Sequence, residues 1–289
     1  MHTCWPRAAA LPAILAVLVM AAPAHASRNA GVAALQVALH TRGFYGGTID
    51  GIQGPVTTKA VKRFQHRHGL RADGIVGAHT RKALGRYGKH LYGSRPLTRG
   101  SRGWDVAALQ FVLAWHGFPS ATFDGLLGLH TERALHRFQR WAGLTPDGVA
   151  GPSTFQALRR APPSCPIALE WPIDGSFGNG FGPRGYRFHA GADLLAPVGA
   201  PVKAAAPGRV VFAGFAMGGF GNLVVVAHSE GVRTMYAHLS GISVQRGAAV
   251  ATGTQLGTVG ATGNADGPNL HFEVRVRGAA VDPMPALVP

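Results

Sequence analysis

The chain has 289 residues, of which 46% are hydrophobic and 41 are glycine, so it is long enough for two or three folded domains and too apolar for a disordered protein. Its formal net charge of +15 favours a polyanionic partner. No basic motif interleaved with aromatic residues and no recognition helix stands out, which argues against nucleic acid and favours an anionic cell envelope.

The first 26 residues have the pattern of a secretory signal peptide. Arg7 precedes an apolar run over 8–22, and Ala-His-Ala at 24–26 is the small-x-small pattern that signal peptidases cut. The run is shorter than the roughly 20 residues of a membrane-spanning helix, so a retained anchor is the less favoured alternative. We therefore expect a secreted or periplasmic chain with no stable membrane anchor after cleavage. Its remaining thiol, Cys165, lies in a proline-rich segment without a nearby histidine or acid, which favours an unreactive cysteine.

Two copies of one sequence unit follow the signal peptide. Residues 32–84 and 106–158 align at a constant offset of 74 without a gap, and Asp-Gly pairs recur at equivalent places, as at 50–51 and 124–125. Apolar residues at helical spacing predict three helices in each copy, separated by the Asp-Gly turns. Because a solenoid needs at least three copies, the pattern predicts a tandem pair of small helical bundles.

The repeat resembles the peptidoglycan-binding domain of secreted wall hydrolases along its whole length. The likeness is carried in the first copy by residues 35–84, LQVALHTRGFYGGTIDGIQGPVTTKAVKRFQHRHGLRADGIVGAHTRKAL. It implies that the repeats bind the peptide or glycan of the cell wall in a shallow groove between helices. The sequence does not indicate which side chains form that groove.

Several histidines in the repeats are candidates for metal ligands by residue type alone. Their positions are not shared between the two copies, and polar residues are common on exposed helix faces. We therefore expect solvated surface residues. These histidines are His66, His68, His79, His116, His130 and His136.

Two segments of linker composition divide the chain. Residues 85–103 separate the repeats, and the proline-rich stretch at 159–166 is typical of a domain boundary. The predicted organisation is a signal peptide at 1–26, peptidoglycan-binding repeats at 27–88 and 100–160, a proline-rich linker at 161–169 and a final domain at 170–289.

From Ile167 onward, helical periodicity gives way to short β-branched runs bounded by glycine. Such runs at this spacing predict an antiparallel sandwich or barrel-like domain. The predicted fold class is therefore multidomain α + β, with two three-helix bundles followed by an all-β antiparallel domain. The predicted strands are 208–214, 222–229, 232–240, 256–263 and 270–276.

Three motifs of the β domain contain residue types that bind zinc. FHAGAD places His189 and Asp193 four residues apart, YAHLS places His238 at the end of a strand, and GPNLHFEVR contains His271. Two imidazoles and a carboxylate suit a tetrahedral zinc site whose fourth position is left to water. The spacing alone leaves the alternative open, because isolated histidines are often hydrogen-bonded core or surface groups.

The last of these motifs has two different faces if it is extended. Alternation puts Asn269, His271 and Glu273 on one face and three apolar residues on the other. Glu273 is thus a candidate hydrogen-bond acceptor for the imidazole N–H of a metal-bound histidine. A solvated or salt-bridged Glu273 is the equally weighted alternative.

Three blocks in order, at 181–214, 219–240 and 262–283, resemble the lysostaphin-type, or LytM-like, zinc metallopeptidases, and the likeness covers roughly residues 170–285. The resemblance implies one Zn2+ per chain and hydrolysis of peptide bonds in peptidoglycan cross-bridges or stem peptides. It also implies a catalytic role for His238, and zinc ligation by His189, Asp193 and His271.

The chain departs from that family at Asn269, where the family pattern reads Gly-Pro-His-Leu-His. An amide cannot accept a proton, and loss of an acid-base group typically costs about 10²- to 10⁴-fold in rate. Its NH2 group can still donate a hydrogen bond to a developing oxyanion. Asn269 and His238 are therefore the predicted catalytic residues.

Three functions stay open at this point. The first is a zinc endopeptidase that cuts wall peptides and is tethered by its repeats. The second is a catalytically impaired zinc-domain protein that binds the wall or activates another hydrolase. The third is a secreted zinc peptidase that acts on proteins. The complete set of candidate ligands together with His238 favours the first.

Overall fold

The computed structural model describes residues 28–288, so the predicted signal peptide at 1–26 lies outside the described residues. Within 28–288, none of the helices combines the length and the apolar character that crossing a membrane requires. The α-helices all precede the strands, which agrees with the predicted fold class. The helices are α1 (Ala30–His40), α2 (Pro55–Arg67), α3 (Ala78–Ala83), α4 (Arg86–Lys89), α5 (Trp104–Trp115), α6 (Leu129–Trp141) and α7 (Pro152–Ala157).

The strands of the second half are short, apart from four long ones at the centre. They are β1 (Leu169–Glu170), β2 (Ser176–Phe177), β3 (Gly182–Arg184), β4 (Arg187–His189), β5 (Ala192–Leu195), β6 (Pro201–Lys203), β7 (Gly208–Ala216), β8 (Gly221–Ala227), β9 (Val232–Leu239), β10 (Gly241–Ile242), β11 (Ala249–Val250), β12 (Gln255–Thr258), β13 (Leu270–Val276), β14 (Ala279–Val281) and β15 (Leu287–Val288). The five predicted strands correspond to β7, β8, β9, β12 and β13.

The two repeats form corresponding sets of three helices, α1–α3 and α5–α7. Their first helices, α1 and α5, pack against each other, and none of their residues is exposed. This explains their sequences, which are apolar on every side, because a helix without an exposed face needs no polar stripe. The second helices instead bury one apolar stripe each, which in α2 consists of Ala60, Val61 and Phe64.

Each Asp-Gly turn of the repeats is held by a buried glutamine from the preceding helix. In the first turn, Gln36 donates from Nε2 to Asp50 Oδ1 at 2.7 Å and accepts the backbone N–H of Gly51 at 2.9 Å. The aspartate carboxylate also accepts the backbone N–H of Ile52 at 2.9 Å, which closes the turn. Each repeat therefore consists of two similar halves. The equivalent pairs are Gln36–Asp50, Gln65–Asp73, Gln110–Asp124 and Gln139–Asp147.

The segment between the repeats contacts both of them. It contains α4, and the Tyr87 hydroxyl donates to the backbone carbonyl of Asp124 at 2.8 Å. Leu97 is fully buried and pairs with Ala150 of the second repeat. Although its composition is that of a linker, the segment joins the repeats through specific contacts.

The β domain is built on an open antiparallel sheet of eight strands. Seven of them follow the order β11-β7-β8-β9-β13-β5-β2, and the eighth, β14, pairs with the C-terminal part of β13, next to the part that pairs with β5. A smaller antiparallel sheet, β10-β12-β6, packs over one face, and side chains such as Val202, Leu256, Tyr236 and Phe272 fill the space between them. The sequence predicted either a sandwich or a barrel-like domain. The described residues form the layered arrangement of a sandwich and no closed barrel.

One expectation about the repeat histidines is wrong. His116, at the end of α5, is only 4% exposed, and its ring nitrogens lie 2.9 Å from the Val112 carbonyl oxygen and 3.1 Å from that of Arg160. The ring of Phe138 packs edge-on against it. His116 is buried because the C-terminal end of the second repeat folds back over the end of α5, a contact that periodicity does not reveal.

Candidate zinc-binding site

The polar face of β13 lies at the centre of the candidate site. β13 pairs with β5 on one side and with β9 on the other, so that His271 is directly opposite both Asp193 and Ala237. His189, at the end of β4, reaches the same place from a separate hairpin. Both faces of β13 are buried, the apolar face in the domain core and the polar face in the site.

The three predicted zinc ligands present one atom each to a common point. His189 Nε2 lies 3.0 Å from His271 Nδ1 and 3.1 Å from Asp193 Oδ1, and His271 Nδ1 lies 2.9 Å from Asp193 Oδ1. Zinc bonds of about 2.0–2.1 Å in tetrahedral geometry separate the ligand atoms by about 3.3 Å. The donor set and its spacing therefore fit zinc, and among residues 28–288 it is the one such cluster of histidine, cysteine and acidic groups.

Hydrogen bonds to the outer ring nitrogens select which nitrogen of each histidine faces this point. His189 Nδ1 donates to the carbonyl oxygen of Gly180 at 2.8 Å, which leaves Nε2 free as a ligand. His271 Nε2 donates to Glu273 Oε1 at 3.2 Å, which leaves Nδ1 free. Acceptors of this kind usually orient metal-bound histidines and increase their basicity.

The carboxylates of Asp193 and Glu273 are each paired with an arginine. Glu273 is 3% exposed and contacts both His271 and, at 2.7 Å, Arg275. It therefore makes the hydrogen bond to a histidine and also the salt bridge that were considered as alternatives from the sequence, and it is not solvated. Arg184 Nη2 lies 2.8 Å from Asp193 Oδ2, which directs the other oxygen, Oδ1, toward the histidines. Sequence reasoning missed Arg184, although it lies inside the first block of the family resemblance.

These contacts set the proton affinity of the metal-free site. Burial disfavours the Asp193 carboxylate, but hydrogen bonds from His189 and His271 outweigh burial and hold its pKa well below the usual range. Burial also opposes the charged form of His271, yet its hydrogen bonds with Asp193 and Glu273 raise the pKa of His271 to about 9. A metal ion therefore has to displace a proton from His271.

His238 lies beside the ligands because the backbone of β9 breaks its alternation. Strict alternation would direct His238 toward the core with Tyr236, but His238 has a φ of 64°, in the left-handed region that few non-glycine residues adopt. Its ring centroid is 5.7 Å from that of His271. Nδ1 donates to the Thr262 carbonyl oxygen at 2.7 Å, which leaves Nε2 as an acceptor. Burial lowers the pKa of His238, which keeps the ring neutral near pH 7.

Asn269 precedes β13 at the edge of the same cavity. Its Nδ2 donates to the carbonyl oxygen of Gly267 at 2.8 Å, and its Oδ1 is buried without a hydrogen-bond partner in the protein. One Nδ2 hydrogen therefore remains for a further acceptor.

A cavity of about 340 Å³ opens over these groups, a volume within the range of ligand sites. Its walls include the loop from Gly218 to Phe220, between β7 and β8, and the loop from Asn264 to Asp266. The floor is polar and contains the predicted site residues, which are His189, Asp193, His238, Asn269, His271 and Glu273.

Comparisons with known families match both halves of the chain. Residues 187–283 match Peptidase family M23, and residues 28–84 and 102–158 match the family described as "Putative peptidoglycan binding domain". The matched regions contain all six predicted site residues of the β domain and both sequence repeats.

Individual relatives match a little over a third of the chain. The chain is 45% identical over 104 residues to DD-carboxypeptidase/endopeptidase Mpg of Neisseria meningitidis serogroup B, which covers 36% of this chain and 24% of that protein. It is 37% identical over 122 residues to Murein hydrolase activator NlpD of Salmonella typhimurium, which covers 42% of this chain and 32% of that protein. The chain thus spans about a quarter to a third of the length of these relatives.

Among solved structures, the chain is similar to the catalytic domain of the antimicrobial peptidase lysostaphin from Staphylococcus simulans. The identity is 36% with a TM-score of 0.37, and the match covers 38% of this chain and 90% of that one.

Proposed function

Because the chain combines a peptidase family M23 domain with two copies of a peptidoglycan-binding domain, we propose that it is a secreted or periplasmic zinc endopeptidase that hydrolyses peptide bonds of peptidoglycan. One observation carries the proposal: His189, Asp193 and His271 present ligand atoms within 3.1 Å of one another at the floor of an open cavity. The similarity to the relative named DD-carboxypeptidase/endopeptidase supports a peptidase.

The chain's own residues can perform the proton transfers and charge stabilisation that peptide hydrolysis needs. Zinc, held by His189, Asp193 and His271, would supply a Lewis acid for the scissile carbonyl and lower the pKa of a water in the fourth position. His238 is neutral and has Nε2 free, so it accepts the proton that the attacking water loses.

Asn269 is the proposed donor to the scissile carbonyl oxygen as negative charge develops there. Its remaining Nδ2 hydrogen suits this role, and in other hydrolases one such donor is worth about 3 kcal/mol. Since an amide cannot take up a proton, this assignment leaves His238 as the titrating group of the reaction.

The repeats are proposed to hold the peptidase domain on its polymeric substrate. Tethering raises the local concentration of cleavable peptides around the site without any new contact to them. The net charge of +15 adds attraction to anionic wall polymers.

A second candidate function rests on the same asparagine. If catalysis requires a titrating group at position 269, the β domain is a folded zinc module that regulates or activates another wall hydrolase. The similarity to the relative named Murein hydrolase activator NlpD supports this alternative.

The two functions are separated by comparing the zinc-loaded protein with Asn269→His. Both are incubated with purified peptidoglycan, and the released peptides are identified by mass spectrometry. Activity of the unaltered protein, changed less than about tenfold by the substitution, supports the endopeptidase. An inactive protein that gains activity with histidine supports the regulatory module.

A further inference from the structure

The hairpin formed by β3 and β4, residues 182–189, connects the candidate zinc site with the helical repeats. Its first strand ends at Arg184, which pairs with Asp193, and its second ends at His189. The hairpin is a two-stranded sheet of its own and has no ladder to the eight-stranded sheet. Asp193 and His271 are both on strands of the large sheet, so His189 is the one proposed ligand outside it.

A two-stranded hairpin of this size has little stability in water by itself. Each of its strands is only three residues long. The position of His189 therefore depends on what packs against the hairpin.

The tip of the hairpin is bound by both repeats at equivalent positions. The backbone N–H of Ile49 donates to the carbonyl oxygen of Gly185 at 2.9 Å, and the N–H of Phe123 donates to that of Tyr186 at 2.9 Å. Ile49 and Phe123 are separated by the repeat offset of 74 and each precedes the first Asp-Gly turn of its repeat. The side chain of Tyr186 also stacks on His40, with ring centroids 5.5 Å apart.

The base of the hairpin is held by Trp115, the last residue of α5. Its ring lies edge-on against Phe181, at a centroid distance of 6.0 Å, and against Phe188, at 5.1 Å. Phe181 immediately precedes the hairpin, Phe188 lies in its second strand, and the centroids of their rings are 4.9 Å apart. Phe188 packs into the apolar cluster of the repeats and immediately precedes His189.

We propose that Trp115 is a positioning residue of the zinc site, through which the repeats fix the hairpin and, with it, His189 and Arg184. The inference rests on the proposed function, because it assumes zinc at His189, Asp193 and His271. The repeats then support the metal site as well as anchoring the protein to the wall. Weaker packing of the repeats against the hairpin weakens zinc binding although every ligand is retained.

The test compares Trp115→Ala, Trp115→Phe and Trp141→Ala in the full chain. Trp141 is the matched control because its ring also faces the β domain, 5.7 Å from the Arg277 guanidinium, but its aromatic partners are Phe118 and Phe138 and not residues of the hairpin. Zinc affinity is measured by competition with a chelator, and hydrogen exchange of residues 182–189 is measured in the zinc-free protein.

Trp115→Ala should weaken zinc binding by about tenfold, the lower end of the effect of residues that orient metal ligands, and accelerate exchange in the hairpin. Trp115→Phe should recover most of the affinity, and Trp141→Ala should stay within about twofold of the unaltered protein. An unchanged zinc affinity in a folded Trp115→Ala variant would overturn the inference. The variant counts as folded if β8 and β9 remain protected from hydrogen exchange.

If Trp115→Ala does not fold, Tyr186→Ala provides the second variant, because Tyr186 is 45% exposed and its ring contacts His40 and Arg187 at the tip. It should weaken zinc binding by about threefold and accelerate exchange at the tip, and native values for both would overturn the inference. Failure of the unaltered protein to bind zinc at all would instead refute the proposed function.

Discussion

Glu273→Gln is expected to weaken zinc binding although Glu273 is not itself a proposed ligand. Glu273 is 3% exposed and accepts the Nε2–H of His271 at 3.2 Å, so its charge stabilises the imidazole that faces the metal through Nδ1. The glutamine has nearly the same shape and retains an acceptor oxygen, but it removes the charge. A hydrogen bond to a charged group contributes about 1.5–3 kcal/mol, which predicts a loss of about 10- to 100-fold in zinc affinity.

The pH dependence of this loss provides a second check. In the metal-free protein the pKa of His271 is about 9, partly because of Glu273, so zinc must displace a proton at pH 7. The glutamine variant binds that proton less tightly, so the proton competes less with zinc for His271 at pH 7. The zinc dissociation constant of Glu273→Gln, divided by that of the unaltered protein, should therefore be larger at pH 9 than at pH 7.

Zinc affinity would be measured by chelator competition at both pH values, with Arg275→Gln as the control. Arg275 pairs with Glu273 but does not touch the histidine, and its side chain is 33% exposed, so its loss should change the affinity by less than about threefold. The reasoning is refuted if Glu273→Gln binds zinc within about twofold of the unaltered protein at pH 9.

Three further predictions concern stability and wall binding. In metal-free protein, the folded pKa of His271 is about 9 against an ordinary 6.5, so its contribution to stability is complete below about pH 6.5 and is lost as the pH rises to 9. Equal temperatures of thermal unfolding at about pH 6.5 and pH 9 would contradict this. Gln110→Leu leaves the buried N–H of Gly125 without its acceptor and should lower the free energy of unfolding in urea by about 2–4 kcal/mol, whereas a change below about 1 kcal/mol would speak against the turn's role. Binding to purified peptidoglycan should weaken at least about tenfold as sodium chloride rises from about 0.05 to 0.5 M, and salt-independent binding would exclude charge as its main source.

The sequence was most informative where local periodicity decides the structure. The alternation along β13 identified both faces correctly, with Leu270 and Phe272 in the core and His271 and Glu273 toward the site. The repeat offset of 74 likewise predicted corresponding helices, because each copy folds from the same local pattern.

Other features depend on contacts between distant segments, which no local pattern encodes. His238 faces the site through a left-handed backbone conformation inside a strand, against the alternation of its neighbours. Arg184 reaches Asp193 from a hairpin, and that hairpin is held by Trp115 of the second repeat. His116 was expected at the surface and is buried, because packing of the chain after α7 covers it.

The most direct test of the account is peptide release from purified peptidoglycan by the zinc-loaded protein and by His238→Ala, with bound zinc measured in both. The account predicts that the unaltered protein releases peptides with new amino termini and that His238→Ala binds zinc but loses activity by at least about 10²-fold. Equal release by the two proteins would contradict the assignment of His238, and no release by a zinc-loaded, unaltered protein would contradict the endopeptidase itself.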